Sequence, residues 1–338
     1  MNLEGKSILI TGGTGSLGKA ITKYLIQNHS KIKRLVIYSR DEQKQFQMSQ
    51  DYPIEKYSFM RYFIGDVRDF NRLKRAFQGI DYVIHAAAMK HVHIAEYNPT
   101  ECISTNVDGA NNVIQAALES KVSRIVALST DKACAPVNLY GATKLTSDKL
   151  FVAANNIKGE NPIKFSVVRY GNVMGSNGSV IPFFRKMKER KNELPITHPE
   201  MTRFNIPIEG GVDMIFHALK HAMGGEIFIP KIPSYRILDV AEAIGPNCSK
   251  PIVGVRPGEK IHEEMITAAD SLNTYDLGKY YIILPNKVSW DLQEYLESKK
   301  GFKVAEGFRY NSGENTDWET VESLRSKIKN YLDPDFVF

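Results

Sequence analysis

Cysteine is scarce in this chain: Cys102, Cys134 and Cys248 are the only three among 338 residues, and they lie far apart. That spacing excludes a disulfide framework and a zinc knuckle, and it suits a reducing, cytoplasmic setting. No apolar run approaches the roughly 20 residues that a membrane-spanning helix needs. The opening MNLEGKSILI runs straight into a strand pattern, which leaves no room for the apolar core and cleavage site of a signal peptide. A large charge of one sign is also missing. The formal net charge of +6 is spread along the chain, whereas a nucleic-acid binder gathers its basic residues on one face. The densest basic cluster, Arg185 to Lys191, reads as the solvated face of a helix. No internal repeat and no low-complexity tract is present.

What the chain has is a 43% hydrophobic composition of ordinary globular type. Its length predicts two domains, or one large α/β unit with a smaller appendage. Short β-branched runs alternate with helical stretches: Ser7–Thr11, Arg34–Tyr38, Arg61–Ile64, Tyr82–His85, Arg124–Leu128 and, after a helix containing Tyr140–Ala154, Phe165–Arg169. Such near-continuous apolar runs fit strands buried on both faces, and the alternation predicts a Rossmann-like, doubly wound parallel sheet. From about Pro182 the rhythm breaks. Pro195, Pro199, Pro207, Pro230, Pro233, Pro246, Pro251 and Pro257 cut the chain into short pieces, as in a smaller mixed α/β domain. The expected organisation is a dinucleotide-binding domain over 1–181 that carries the catalytic residues. A mainly substrate-binding domain over 182–285 follows, with some chain returning to the first, then a C-terminal extension over 286–338 containing an amphipathic helix, Thr316–Tyr331.

The first strand runs into TGGTGSLG, which places Gly12, Gly15 and Gly18 three apart between an apolar strand and a helix. Gly12 suits a tight turn, Gly15 lets backbone reach a pyrophosphate, and Gly18 permits close helix–strand packing. Thr14, Ser16 and Leu17 complete the turn, and the helix N-terminus presents free N–H groups to phosphate. After the second strand come Tyr38, Ser39, Arg40 and Asp41, with Lys44 a turn further on. A carboxylate there favours NAD and cations favour the 2′-phosphate of NADP. Ser39, Arg40 and Lys44 point to NADP, while Asp41 argues the other way. Asp66 and Val67 follow the third strand, beside an adenine. Ala86 and Ala87 follow the fourth, beside ribose and nicotinamide.

Tyr140 and Lys144 form Tyr-x-x-x-Lys, one face of a helix. An ammonium near the phenol would lower its pKa and make Tyr140 a base for an alcohol. Ser129, Thr130, Asp131 and Lys132 follow the fifth strand, whose carboxyl end faces the ligand crevice. There Asp131 and Lys132 form either an acid–base pair or a salt-bridged surface turn. His217 and His221 lack the glutamate of a metalloprotease motif, His91 and His93 fall in a loop without a ligand role, and Cys134 has no activating base. No metal site is expected.

With these residues placed, the chain resembles the extended short-chain dehydrogenase/reductases. More narrowly, it resembles the inverting UDP-N-acetylglucosamine 4,6-dehydratases of pseudaminic acid biosynthesis. The likeness covers about residues 4–285 and runs through TGGTGSLG, YSRDEQKQF, MRYFIGDVRD, HAAAMKHVHIAEYNP, ALSTDKACAPVNLYGATKLTSDKLFVAANN, VVRYGNVMGS, GGEIFIPKIPS and RPGEKIHEEMI. Retaining dehydratases carry Asp-Glu where this chain has Asp131-Lys132, as the inverting group does. Tyr140 is kept, unlike long membrane-bound relatives with methionine there.

The resemblance implies NADP as cofactor and UDP-N-acetylglucosamine as substrate. Tyr140 would serve as base toward the 4-hydroxyl and a neutral Lys132 as base at C-5, with Asp131 as acid toward the C-6 hydroxyl. Burial and the neighbouring Lys144 would strip Lys132 of its proton. Lys90, Thr130, Asn172, Arg256 and Glu259, with Thr197 and Arg203, match positions near the sugar or its UDP. Lys90 also falls near the cofactor; for each arginine the alternative is a surface ion pair. A homo-oligomer, dimer or hexamer, is implied too. Asn205, Asn177 and Ala135 depart from the usual Trp, Arg and Asn, which bears on local packing and affinity rather than reaction type. The competing readings are a UDP-sugar 4-epimerase or a retaining dehydratase on the same scaffold, and a catalytically silent NADP-binding sensor.

Overall fold

The computed structural model describes residues 2–176 and 178–338; Asn177 lies outside them. The strands are β1 (Ser7–Thr11), β2 (Arg34–Ser39), β3 (Met60–Ile64), β4 (Tyr82–His85), β5 (Arg124–Thr130), β6 (Lys164–Tyr170), β7 (Asn172–Val173) and β8 (Thr202–Ile206). They continue as β9 (Ile227–Pro230), β10 (Ser234–Arg236), β11 (Glu264–Ile266), β12 (Thr274–Asp276), β13 (Tyr280–Ile283), β14 (Phe302–Lys303) and β15 (Tyr310–Asn311). Ten of them form one sheet in the order β14-β12-β13-β9-β6-β5-β4-β1-β2-β3. From β3 to β9 every pairing is parallel, while β13, β12 and β14 add antiparallel strands at the far end.

The interior strands are apolar because helices cover both faces: every residue of β1 and β4 is buried. The third strand differs from expectation. It is the sheet's edge, and Arg61 and Ile64 are exposed there. Thr11 stands level with Tyr38 on one side and His85 on the other. The chain thus reverses direction across the sheet at β1, and a crevice opens at the strands' carboxyl ends.

A three-stranded sheet, β10-β8-β7, and the β11–β15 pair lie in the later half. A second core gathers Ile181 and Phe184 of the helix Val180–Lys191, Ile244 of Ile237–Ile244, and Leu324 and Ile328 of Val321–Tyr331. The last fifty residues therefore supply an edge strand to the large sheet, a partner to β11 and one wall of the second core. The final helix begins at Val321 rather than Thr316, because Thr320 and Ser323 form a reciprocal capping box (Ser323 N to Thr320 Oγ1, 3.1 Å; Thr320 N to Ser323 Oγ, 2.8 Å).

Candidate active site

At the end of β1 the backbone of Gly12 is left-handed (φ +67), and a Cβ there would lie 2.8 Å from Ala87 N. Only glycine fits this turn against the strand-β4 loop. A Cβ on Gly18 would meet Gly13 O at 2.4 Å, so the helix Ser16–Asn28 starts hard against the turn. Gly15, the residue capping that helix, is exposed and brings no side chain to its free N–H groups. Ser16 and Leu17 open the helix, and Thr14 Oγ1 is 2.8 Å from Ser39 Oγ. An open helix N-terminus beside a side-chain-free turn fits the pyrophosphate of a dinucleotide.

Beyond β2, Tyr38 is a pillar: it is buried, its hydroxyl donates to Asp66 O (2.8 Å), and its ring fills the space beside Gly65. Asp41 caps the helix Glu42–Asp51 by accepting from Lys44 N (2.9 Å), and it also pairs with Lys44 Nζ (3.0 Å). Those bonds hold its carboxyl below the usual range, so Asp41 and Lys44 answer each other. Asp66 accepts from Arg68 and lies 3.9 Å from exposed Arg40, while Val67 is buried. Ser39 and Arg40 remain as the residues suited to a ribose phosphate.

Strand β5 delivers Ser129 and Thr130, and a tight turn, Asp131–Ala133, follows. Asn138 then caps the helix Leu139–Ile157, accepting from Gly141 N at 2.8 Å. A Cβ on Gly141 would stand 2.1 Å from Lys132 O, so glycine after Tyr140 lets the helix sit directly on the Asp131–Lys132 turn. Thr130 Oγ1 donates to Asp131 Oδ1 (2.9 Å), and Lys132 Nζ lies 3.1 Å from that same oxygen. The surface-turn alternative is therefore excluded: Asp131 is fully buried, and the Lys132 side chain is 24% exposed.

A residue that the sequence reading passed over completes this group. Glu263 Oε1 is 2.9 Å from Lys132 Nζ and 3.8 Å from Arg203 Nε. The opposing charges set the protonation states. Burial works against the Lys132 charge, but Asp131 and Glu263 outweigh it and hold the amine above the ordinary lysine range. This corrects the expectation of a neutral lysine, because the nearest groups are anions rather than Lys144. Burial raises Asp131, with the Glu263 charge adding to the effect against Lys132. Glu263 is buried too, but Lys132 and Arg203 hold it below the usual carboxylate range. Asp131 Oδ2 and Glu263 Oε2 are buried without a hydrogen-bond partner among the described residues.

Tyr140 is likewise corrected: burial pushes its phenol up to about 12, and the cation pulling it down is Lys132. Lys144 is buried, which lowers it, with Asp148 opposing. Asp148 itself pairs with Arg169 (3.1 Å) in the interior and accepts from Ser129 Oγ (2.6 Å), so the Ser129 hydroxyl is turned inward. Asn106 sits in a π-helical turn, Ser104–Asp108. It accepts from Met89 N (2.8 Å) and donates to Met89 O (3.0 Å) and Thr143 Oγ1 (3.0 Å), pinning the loop of Ala86, Ala87 and Lys90 to the Tyr140 helix. Neither Asp148–Arg169 nor Asn106 was foreseen.

A cavity of about 420 Å³ opens beside the triad. Asn172, Thr197, Arg203, Arg256 and Glu259 all line it, together with Lys132 and Glu263; Lys90 and Thr130 are not on its wall. Arg203 donates to Thr202 O (2.7 Å) and Ile261 O (3.0 Å). Arg256 is exposed and 3.8 Å from Glu259, an ion pair at the cavity mouth. Cys134 is buried and its thiol pushed up to about 12, which makes it inert. His93 falls within a short helix, Val92–Tyr97, rather than a loop. Among the described residues no group of three or more His, Cys, Asp or Glu is placed to hold a metal.

A parallel sheet reversing at β1, a glycine turn at that strand and Tyr140–Lys144 beside β5 define a short-chain dehydrogenase/reductase. Residues 8–285 match the model of the polysaccharide biosynthesis protein family, and the chain belongs to that family. It is 55% identical, over 97% of its length and 98% of the other's, to a UDP-N-acetylglucosamine 4,6-dehydratase (inverting) of Campylobacter jejuni. A UDP-glucose 4-epimerase of Rickettsia canadensis is 38% identical over 97% of both chains. The X-ray structure of Pen from Bacillus thuringiensis superposes with a TM-score of 0.88 at 37% identity, covering 98% of this chain and 99% of that one.

Proposed function

We propose that the protein is an NADP-dependent UDP-N-acetylglucosamine 4,6-dehydratase that inverts C-5. Its product would be UDP-2-acetamido-2,6-dideoxy-β-L-arabino-hex-4-ulose, the first step toward a pseudaminic acid-type sugar. The observation that carries this reading is the buried Asp131 lying 3.1 Å from Lys132, which lines the cavity, with Tyr140 close to both. An epimerase has no use for such a pair, and a silent sensor has none for the pair and Tyr140–Lys144 together. The 55% identity to a dehydratase, against 38% to an epimerase, supports the same choice.

Gly12, Gly15, Gly18, Ser39 and Arg40 would hold the cofactor, with Lys144 near its ribose. NADP, when bound, supplies the hydride acceptor and donor that connects C-4 with C-6. Tyr140 would take the proton of the 4-hydroxyl as its phenolate, a form that burial opposes, that Lys132 favours and that the nicotinamide charge of bound NADP would favour further. The resulting ketone acidifies C-5, Lys132 removes that proton, and Asp131, kept protonated by burial, gives its own to the departing C-6 hydroxyl; with hydride returned to C-6, the proton taken from the 4-hydroxyl would pass from Tyr140 to C-5 on the opposite face, which resets Tyr140. Arg203 and Arg256 suit the diphosphate and Glu259 the uridine ribose. We assign the work to a cytoplasmic homo-oligomer.

Incubation with UDP-N-acetylglucosamine tests the reading: loss of one water from the sugar nucleotide is expected. Unchanged mass with a new C-4 stereoisomer would establish an epimerase instead.

A further inference from the structure

Lys132 presents a difficulty to this reaction. The ionised Glu263, 2.9 Å from Nζ, holds its amine as an ammonium while Asp131 stays protonated, whereas proton removal from C-5 needs a free lone pair. The proton must go to a group within reach. Asp131 cannot take it and still serve as the acid toward C-6, which leaves Glu263, 2.9 Å from Nζ. Resting on the reaction proposed above, we infer that Glu263 is the positioning residue that arms Lys132. It takes the lysine's proton when an anionic diphosphate on Arg203 offsets one of the two cations that keep its carboxylate ionised, the other being Lys132 itself.

The surroundings supply both halves of this switch. Arg203 from β8 stands 3.8 Å from the same oxygen that meets Lys132, and all three side chains reach the cavity that the substrate would fill. Lys260, three residues before Glu263, adds a further positive charge. Asp131 faces Lys132 from the turn after β5, and the Tyr140 and Tyr235 phenols complete the titratable groups around it. Among the described residues Oε2 of Glu263 has no hydrogen-bond partner, and Lys132 is the cation that its other oxygen meets at hydrogen-bond distance. Filling the cavity removes water from an ammonium still partly solvated. A buried ion pair then loses ground to the neutral pair.

The step balances. One Nζ–H bond breaks and one Oε1–H bond forms, so ammonium and carboxylate become amine and acid without net change of charge. Lys132 next takes the C-5 proton while Asp131 gives its proton to the departing hydroxyl. The new ammonium, 3.1 Å from Asp131 Oδ1, restores that acid. Glu263 returns its proton to Lys132 when product leaves, and the base is free only while substrate is bound.

Glu263→Gln keeps the shape and removes the proton acceptor. With UDP-N-acetylglucosamine, this variant is expected to oxidise C-4, so the near-ultraviolet band of reduced nicotinamide builds up and persists. Deuterium entry at C-5 and water loss should fall about 100-fold. Higher pH should restore both, because Lys132 with one carboxylate fewer loses its proton to solvent. Infrared difference spectra provide the second readout. Addition of UDP alone should produce a protonated-carboxyl band in the parent that the Gln variant lacks. Parent-level C-5 exchange in the variant would overturn the inference, as would an equal fall of oxidation and exchange that pH does not relieve, or absence of the band. The infrared measurement needs no turnover, so it judges Glu263 separately from the dehydration itself.

Discussion

At the scale of single residues, this site is governed by which charges share a dry space. Asp131 and Glu263 raise Lys132 against its burial, whereas Lys144, buried with Asp148 opposing, is lowered. His85 shows the same rule without a counter-ion. It is wholly buried against Thr11 Oγ1 (2.8 Å), and burial with nearby Lys144 lowers it to about 3. Below the ordinary histidine value of 6.5, the unfolded chain binds a proton that the native ring refuses. Stability is therefore lost as pH falls from 6.5 toward 3. Between pH 7 and pH 5 the parent should lose about 2 kcal/mol more than His85→Asn, read from urea midpoints at each pH.

Two of the unusual residues also acquire physical accounts. Ala135 sits at φ +44, where the common Asn tolerates left-handed backbone better. Asn205 donates to Glu319 Oε1 at 2.8 Å, tying β8 to the C-terminal segment.

At the scale of elements, the helix Leu139–Ile157 organises the chemistry. Asn138 caps it and, through Nδ2, donates to Gly258 O at 2.7 Å in the loop that carries Arg256 and Glu259. One side chain thus joins the Tyr140-bearing helix to a loop that lines the cavity. Asn138→Ala should cost about 1 kcal/mol of stability. It should also raise KM for the sugar nucleotide more than it lowers kcat, by denaturation and steady-state kinetics.

The glycine turn, the parallel strands and Tyr140–Lys144 were legible because each signal is local, a spacing of three, four or a strand's length. Glu263 was not. It lies far along the chain from Lys132, in a stretch whose next residue, Glu264, makes an ordinary bond to Arg309 (2.7 Å). Nothing local separates the two glutamates; only the fold places one inside. The same holds for Asp148 and Arg169, and for Asn106, whose π-helical turn left no periodic mark. Strand β3 looked like its neighbours because an edge is a property of the sheet, not of the strand. Lys132 and Tyr140 were assigned the wrong direction of shift, since a carboxylate distant in sequence and the depth of burial both escape a reading by spacing.

At the scale of the whole molecule, two layers meet over the crevice. The parallel sheet brings the glycine turn, the acid–base group and the Tyr140 helix to one edge, and the later half supplies Arg203, Arg256 and Glu263 from the other side. Neither layer holds a complete site. Lys132 belongs to the first and Glu263, 2.9 Å from it, to the second, so this ion pair exists only where the layers join. The most direct test of the account is Lys132→Ala with UDP-N-acetylglucosamine in deuterated water, following the label at C-5. The account predicts continued oxidation at C-4, no deuterium at C-5 and no loss of water. Exchange at C-5 at the parent rate would contradict it.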